Sequence, residues 1–424
     1  MKAPLFFDIV NIIANCFGGI MKQIPFLPII VGTDINAYNM SISFHEEYGI
    51  NPILVGRGQL PFTTYSKIPK TIEYYKDLGE SEHFARILIE VANKYKQPGL
   101  KLVLVGTNDL YVRLIIENQE ALRPFYVFNY TSEELMNTLQ YKANFYKLCE
   151  EHGIDTPTTY FYSCAQEEPF NEEMLYPVII KPSNGIMYNN NKFKGQQKVY
   201  KVDSLNELNE VISLIKASGY TDELIIQDYI PGDDTYMWDA VLYVNSRKQT
   251  ELVAYAQVVL QEHTPTAIGN YTALIARYNE PLMKKLQNFL EAVGYNGFAN
   301  FDLKYDERDG KYKVFEVNIR QGRSSYYVTG MGHNMARYLV DDLVYKKDKD
   351  VTYLNGEFLF TVVPKIVLKK FVDNREVQRD IRHLLRTKNY RNPLFYKADK
   401  HFKRKFYMLA RQFNYYKKYK NNQW

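Results

Sequence analysis

The chain has 424 residues, too many for one compact core, so two or three domains are expected. Hydrophobic residues make up 46% and charged residues 24%, values typical of soluble globular proteins, and no run of 18 apolar residues predicts a membrane-spanning helix. The three cysteines, Cys16, Cys149 and Cys164, are far apart and form no CxxC pair. This spacing argues against a disulfide framework and indicates a reducing compartment.

The formal net charge of +5 is unevenly distributed along the chain. From Lys365 to the end, 18 Lys or Arg stand against 4 Asp or Glu, a net +14, so the rest of the chain carries −9. An acidic body therefore carries a basic tail.

Residues 1–24 are apolar but are interrupted by Asp8, Asn11 and Asn15. The segment lacks the basic start and the small-residue cleavage site of a secretory signal. We expect a short helix packed on the body, with a helix lying on a membrane surface as the alternative.

Residues 25–130 alternate strand and helix patterns, which is typical of a parallel α/β domain. Two units are predicted: strand 26–31, turn Gly32-Thr33-Asp34 and helix to Tyr48; then strand 102–105, turn Gly106-Thr107-Asn108-Asp109 and a second helix. Ligands in such sheets lie at the carboxyl ends of the strands, next to these two turns. Neither turn is GxGxxG, so we predict no dinucleotide site; roles limited to turn and cap are the alternative.

The next stretch carries two lysines at element boundaries. A capping box at Thr131 to Glu134 predicts a helix through Glu151 that bears Lys142. An apolar strand over residues 176–181 ends at Lys181, and a polar, Asn-rich loop follows over residues 183–197. Such a loop can lay backbone N–H groups on phosphates, although a flexible hairpin is the simpler interpretation.

From residue 224 strands mostly follow strands, which favours an α+β arrangement. The apolar segment Leu224 to Asp234 enters a Pro-Gly turn, strands are predicted over 237–245 and 252–260, and a helix over 282–293.

Phe298 to Arg323 has the period-two pattern of a β-hairpin, with a reversal at Asp309-Gly310. That turn places Asp302 opposite Glu316 and Asn300 opposite Asn318, with Phe315 on the apolar face. Carboxylates facing each other at about 5 Å repel unless one is protonated or a cation lies between them. Asp302, Glu316 and Asn318 form an all-oxygen set suited to magnesium. The alternative is an edge hairpin whose acidic face is solvated and has no functional role.

Arg320 and Arg323 follow the hairpin and would place phosphate donors beside that ion.

The C-terminal part predicts a helix over 330–345, an apolar β-like run over 358–368 and a basic helix over 376–385. Residues 401–419 predict an amphipathic basic helix with Phe402, Phe406, Leu409, Phe413 and Tyr416 on one stripe. We favour contact with anionic lipid. Docking on the acidic body and nucleic-acid binding are alternatives, and we expect no nucleic-acid partner.

In order, these parts resemble the ATP-grasp ligases from about Phe26 to Tyr345. The resemblance implies an ATP-grasp fold with an N-terminal parallel α/β (pre-ATP-grasp) domain at 25–130. The ATP-grasp domain itself spans 131–345, with subdomains 131–226 and 227–345, between the apolar segment 1–24 and a basic extension at 346–424.

The resemblance also implies residue roles. Lys142 and Lys181 match the lysines that hold ATP phosphates. The hinge that contacts adenine is matched by Gln227, Asp228, Tyr229 and Ile230. Asp234 matches the acidic residue at the ribose. Asp302, Glu316 and Asn318 match the ligands of one or two Mg²⁺ ions, for which Mn²⁺ can substitute. Arg320 matches the arginine beside the acyl-phosphate, and Arg323 is a second candidate for that role. Gln227 and Asp234 depart from the usual Glu.

More narrowly, three segments are similar to the D-aspartate ligases of bacterial cell-wall synthesis: VGTDINAYNMSISFHEEYGI, YSKI and FTVVPKIVLKK. This resemblance implies a cytoplasmic enzyme, at the inner face of the membrane if the tail binds lipid. It would join D-aspartate to the lysine side-chain amine of a nucleotide-linked or lipid-linked peptidoglycan precursor. Alternatives are another amino acid or amine acceptor, or a non-catalytic nucleotide-binding scaffold.

Overall fold

The computed structural model describes residues 25–183, 185–264 and 267–422. The helix expected in residues 1–24, including Cys16, lies outside the described residues. Within those ranges, none of the helices combines the length and apolar character that crossing a bilayer requires.

Residues 25–130 form a four-stranded parallel sheet, as predicted, in the order β3-β2-β1-β4. Its elements are β1 (Phe26–Val31), α1 (Ile35–Tyr48), β2 (Ile53–Gly56), β3 (Thr71–Tyr74), α2 (Ser81–Tyr95), β4 (Lys101–Gly106), α3 (Asp109–Glu117) and α4 (Gln119–Leu122). Asp34 caps α1 by accepting a hydrogen bond from the Ala37 N–H at 2.9 Å, and Gly49 ends it with a φ of 67°. The predicted turn at Asp34 and the predicted helix end at Tyr48 are therefore confirmed.

The second part has a smaller antiparallel sheet in the order β5-β8-β6-β7. Its elements are α5 (Glu133–Gln140), α6 (Lys142–Glu151), β5 (Thr159–Ser163), β6 (Val178–Pro182), α7 (Gly185–Asn190), β7 (Tyr200–Val202), α8 (Leu205–Ala217) and β8 (Glu223–Asp228). The single helix predicted through Glu151 is wrong, because Tyr141 adopts an extended backbone and splits it. The polar loop after Lys181 contains the short helix α7.

A larger sheet holds the rest of the chain, in the order β13-β12-β9-β10-β11-β15-β16, with β14 pairing to β10. Its elements are β9 (Met237–Val244), β10 (Thr250–Gln261), β11 (Tyr271–Arg277), α9 (Glu280–Ala292), β12 (Gly297–Asp306), β13 (Lys311–Asn318), α10 (Tyr326–Gly330), α11 (Met335–Leu343), β14 (Thr352–Tyr353), β15 (Leu359–Thr361), α12 (Lys365–Phe371), α13 (Arg375–Arg386), β16 (Tyr390–Arg391) and α14 (Phe402–Asn421).

Two C-terminal predictions need correction. The β-like run 358–368 is a strand only over Leu359–Thr361, and α12 begins after Pro364, whose fixed φ suits a helix start. The helix expected over 330–345 begins only at Met335 as α11, because Gly330 ends α10 and Gly332, whose φ is 90°, lies in the turn between the two helices.

The hairpin of β12 and β13 has the predicted register: Asp302 pairs with Glu316, and Asn300 with Asn318. A bulge follows, since Leu303 pairs with Val314 and Phe315 is the extra residue. Val314 is therefore buried, while Phe315, predicted on the apolar face, is only half-buried. The bulge keeps the two carboxylates opposed while β13 bends.

The first sheet and the large sheet are joined through α1, whose central residues are buried against α10 and α11. Asn36 donates to the Thr107 carbonyl at 2.8 Å and to the Gln321 carbonyl at 2.9 Å. One buried amide thus ties the first two turns to the segment that follows the hairpin.

Close packing at these turns predicts an asymmetry between two glycines. Gly32 has a φ of 138°, and a Cβ there would lie 1.9 Å from Thr107 Oγ1, whereas Gly49 has room around it. Gly32→Ala should therefore lower the melting temperature well beyond Gly49→Ala, whose backbone strain costs about 1 kcal/mol. Thermal unfolding followed by circular dichroism checks this, and equal losses would contradict the packing.

Candidate active site

Three polar side chains of the hairpin meet where β12 and β13 pair. Asn318 Nδ2 donates to Asp302 Oδ2 at 3.3 Å, and Glu316 lies opposite Asp302. Arg320 Nη2 donates to Asn318 Oδ1 at 3.3 Å. The structure thus brings together the predicted metal residues and the first predicted arginine.

The two facing carboxylates have opposite electrostatic environments. Burial, and then the charge of Glu316, raises the pKa of Asp302 well above its ordinary value. The ammonium of Lys142 instead lowers the pKa of Glu316 to about 2. A cation bound beside Asp302 would stabilise the ionised form of its carboxyl group and so lower its pKa.

Lys142, the first residue of α6, points at the hairpin. Its Nζ donates to Glu316 Oε2 at 2.7 Å and to the Phe315 carbonyl at 2.8 Å. That carbonyl is available because Phe315 is the bulged residue. The helix break at Tyr141 and the strand bulge therefore together position this ion pair.

Lys181, at the end of β6, joins the same network through Gln227. Lys181 Nζ donates to Gln227 Oε1 at 3.4 Å, and Gln227 Nε2 donates to Tyr146 Oη and Thr159 Oγ1, each at 2.9 Å. Burial, and then the nearby charge of Lys142, lowers the pKa of Lys181 to about 8. Gln227 is buried as a positioning residue, with both ends of its amide engaged.

The other predicted hinge residues connect the small sheet to the large one. Asp228 ends β8 and pairs with Arg308 at 2.6 Å, Lys201 lies 4.5 Å from the centre of the Tyr229 ring, and Ile230 is buried.

Asp234 contacts Gln261 and His263, at 2.8 Å and 2.7 Å. Asp234 Oδ2 also accepts a hydrogen bond from the Gln261 N–H at 3.0 Å, so Oδ1, which accepts one bond, is the oxygen with room for a ribose hydroxyl.

The arginines after the hairpin are held by different acids. Arg320 makes a bidentate pair with Asp109, its Nε at 2.7 Å and its Nη2 at 3.1 Å from the carboxylate oxygens. Asp109 lies in the second turn of the first sheet, so this pair crosses between the two parts of the chain. Arg323 lies 3.7 Å from Glu262, and its Nη2 has no hydrogen-bond acceptor among the described residues.

The two turns of the first sheet and the hairpin line one cavity of about 530 Å³. Residues from both sources are Asp34, Asn36, Thr107, Asn108, Asp109, Asp302, Glu316, Asn318, Arg320 and Arg323. A second cavity of about 470 Å³, lined by Arg57 and Lys76, shares Asp34 and Asn108 with it. The carboxyl ends of the strands and the acidic hairpin therefore line the same cavity.

Sequence analysis missed two ionisable residues of this region. Asp239 pairs with Asp302 in register across β9 and β12, receives a hydrogen bond from Asn300 at 2.6 Å, and burial raises its pKa to about 7. Lys304 donates to the Gly232 carbonyl at 3.0 Å, and burial lowers its pKa to about 8. A lone aspartate inside the apolar run of β9 was the available signal for the first.

The donor set fits a hard cation. In the described ranges no group of three or more His, Cys, Asp or Glu is placed to hold a metal ion, and the hairpin instead supplies two carboxylates and one amide. Magnesium typically takes one or two carboxylates and completes its shell with water and phosphate. Lys142 contacts Glu316 Oε2, so its ammonium already neutralises one of the two carboxylates.

This electrostatic conflict predicts the behaviour of Asp302→Asn. Because the pKa of Asp302 is raised in the folded chain, its ionised form costs stability at neutral pH, and a carboxamide avoids that cost. The variant should melt at an equal or higher temperature without metal and should lose the stabilisation that Mg²⁺ gives with ADP.

Calorimetric melting with and without Mg²⁺ and ADP checks this, with Asp309→Asn at the hairpin turn as control. A wild-type metal response in the Asp302 variant would contradict the assignment.

No family model matches the chain. It is 33% identical over 409 residues to the D-aspartate ligase of Enterococcus faecium, covering 93% of this chain and 96% of that protein. Among solved structures, it resembles the L-amino acid ligase of Bacillus licheniformis, with a TM-score of 0.52 and 16% identity over 75% of this chain and 74% of that one.

It also resembles the biotin carboxylase domain of Hydrogenobacter thermophilus 2-oxoglutarate carboxylase, solved with ADP and its magnesium salt, with a TM-score of 0.57 and 14% identity over 78% of this chain and 73% of that one. The likeness to the solved structures establishes the ATP-grasp fold. Identity of one third along nearly the full length of both chains establishes the rest: the chain belongs to the D-aspartate ligase family and is an ATP-dependent carboxylate–amine ligase.

Proposed function

We propose that the protein uses ATP to join a carboxyl group of D-aspartate to the lysine side-chain amine of a peptidoglycan precursor peptide. The observation that carries this proposal is the single cavity shared by the opposed carboxylates, Arg320 and the two turns of the first sheet. The name of the Enterococcus relative supports the choice of D-aspartate.

Asp302, Glu316 and Asn318 would hold one or two Mg²⁺ ions, with Mn²⁺ as a substitute, which neutralise phosphate oxygens during transfer. Lys142 would exchange Glu316 for a phosphate oxygen when nucleotide enters, because its ammonium lies only 2.7 Å from that carboxylate. Lys181 would hold the same phosphates, while residues 227–230 contact adenine and Asp234 the ribose.

The proposed reaction has two steps, and positively charged side chains of the chain assist both. In the first, a carboxylate oxygen of D-aspartate attacks the γ-phosphorus and the bond to ADP breaks, giving an acyl-phosphate. In the second, the amine attacks the acyl carbon, phosphate leaves with the bonding electrons, and the amine loses its proton. Arg320 and Lys181 stabilise the charge on the transferring group by fixed position. The segment 183–198 would close over the site and exclude water.

Aspartate has a second carboxylate, and Arg323 is suited to bind it. Arg323 lines the cavity beside Arg320, and its guanidinium lies 3.7 Å from Glu262, which is beyond hydrogen-bond distance. A guanidinium matches a carboxylate with two parallel hydrogen bonds. This contact would select aspartate over amino acids with neutral side chains.

Glu316→Ala should abolish ADP formation with D-aspartate and a lysine-bearing muropeptide, because it removes both a metal ligand and the partner of Lys142. Glu307→Ala, on the same hairpin but exposed, should keep wild-type turnover. Coupled assays of ADP release over a panel of D- and L-amino acids, with and without the peptide, provide the measurement. Normal turnover in the Glu316 variant, or a wild-type preference for another amino acid, would contradict the assignment.

We also propose that the enzyme works in the cytoplasm, with α14 on the anionic inner face of the membrane. Four of the five predicted stripe residues face outward: Phe402, Phe406, Leu409 and Phe413 are 84%, 71%, 52% and 74% exposed. The fifth, Tyr416, is half-buried and packs against Phe371. Exposed lysines flank the stripe at positions 403, 405, 417 and 420. An anionic lipid surface matches both the charge and the apolar side chains.

Phe402→Ser combined with Phe406→Ser should weaken sedimentation with phosphatidylglycerol vesicles by about tenfold or more, since burying one Phe contributes about 1.5–3 kcal/mol. Leu175→Ser, which changes a side chain that is 82% exposed elsewhere, should leave binding unchanged. Undiminished binding of the Phe double variant would remove lipid contact by α14.

A further inference from the structure

A cavity of about 720 Å³, larger than either cavity of the candidate site, lies in the C-terminal part of the chain. Its wall carries the aromatic side chains of Tyr326, Tyr390 and Tyr396. Its rim carries five cations: Lys365, Arg386, Lys388, Arg391 and Lys397. We refer to it as the basic aromatic pocket, and its volume suits a ligand of nucleotide size.

The positive charge of this pocket is largely uncompensated. Glu46 is its single acidic lining residue, and it is already bound by Arg391 at 2.8 Å and by the Tyr326 hydroxyl at 3.0 Å. Across the described ranges no carboxylate lies within 4.0 Å of an ammonium or guanidinium nitrogen of Lys365, Arg386, Lys388 or Lys397. Lys365 Nζ lies 4.5 Å from the centre of the Tyr390 ring. Four cations without a carboxylate partner among the described residues surround one cavity, and they form a site for a multiply charged anion.

Two chain segments place the basic aromatic pocket next to the candidate site. Arg323, which lines the site cavity, precedes Tyr326 of the pocket by three residues. The guanidinium of Arg411 lies 4.3 Å from the centre of the Phe62 ring, which lines the site cavity, and the next residue, Gln412, lines the pocket.

Helix α1 gives the scale of the separation. It runs from its cap, Asp34, in the site to Glu46 in the pocket, twelve residues that span about 18 Å at 1.5 Å per residue. An extended peptide of about five residues covers the same distance.

We propose that the basic aromatic pocket binds the diphosphate ester that anchors the acceptor peptide, while the peptide's amine reaches the candidate site. This inference rests on the proposed function, because it assumes a peptide acceptor. A diphosphate concentrates several negative charges in a small volume, so it can meet several cations of one cavity at once, whereas an acidic peptide spreads single charges along its length. The diphosphate can come from a soluble nucleotide conjugate or from a lipid carrier, and both present the same group.

Direct binding tests the pocket without catalysis. Inorganic diphosphate is titrated calorimetrically into ADP-saturated protein without Mg²⁺, so that the nucleotide site is filled. Lys388→Gln with Lys397→Gln should weaken binding by at least tenfold. The matched control is Lys346→Gln with Lys369→Gln, which also removes two exposed lysines, and Lys346 has a φ of 54° against 59° for Lys388. Equal affinity in the two double variants, or no binding to the wild type, overturns the proposal.

Kinetics then separates the pocket from the proposed function. The same peptide is supplied free, as a nucleotide-diphosphate conjugate and as a lipid-diphosphate conjugate, and KM is measured for each. The Lys388 and Lys397 double variant should raise KM at least tenfold for the diphosphate-bearing acceptors only, and the lower wild-type KM identifies the carrier. Equal wild-type KM values for all three forms overturn the inference while leaving ligase activity intact. Absence of D-aspartate ligation with every acceptor counts against the proposed function, and the calorimetric result still decides the pocket.

Discussion

The site depends on the repulsion between two carboxylates that the hairpin register places opposite each other. Lys142 offsets this repulsion on one side, at 2.7 Å from Glu316, whereas Asp302 is contacted by two uncharged side chains, those of Asn318 and Tyr271. The arrangement is therefore half neutralised in the protein alone. The remaining negative charge favours binding of a cation. In the proposed mechanism, Lys142 would leave Glu316 when a phosphate oxygen takes the place of that carboxylate.

The same site is divided between distant parts of the chain, and buried hydrogen bonds hold the parts together. Asn36 donates to carbonyls of Thr107 and Gln321, Gln321 donates to the Gly106 carbonyl at 3.0 Å, and Arg320 clamps Asp109. Buried amides of this kind are costly to leave unpaired, so the contacts specify one arrangement of the two sheets. The first sheet thereby supplies one wall of the cavity that the proposed mechanism uses.

The hairpin was predictable because period-two alternation and a strong turn fix a register, and a register places Asp302 opposite Glu316 without any tertiary information. The bulge at Phe315 was not predictable, since the extra residue fits the same alternation until packing selects Val314 for the core. The break at Tyr141 was equally hidden, because nothing in the local propensity opposes a continuous helix there. Asp239 was missed since its meaning comes from a neighbouring strand brought in by the fold.

Helix α14 buries Met408, Tyr415 and Tyr419 but leaves its phenylalanines exposed, and one buried ion pair explains this orientation. Arg404 pairs with Asp399 at 2.7 Å with both side chains almost fully buried, and its guanidinium lies 4.0 Å from the centre of the Tyr38 ring. Asp399 also accepts hydrogen bonds from Tyr38 at 2.9 Å and Ser66 at 2.7 Å. Rotating the helix to bury its phenylalanines would strand these charges, and breaking a buried pair costs about 3–5 kcal/mol. The ion pair therefore fixes the orientation of the helix, and the phenylalanines stay exposed to solvent.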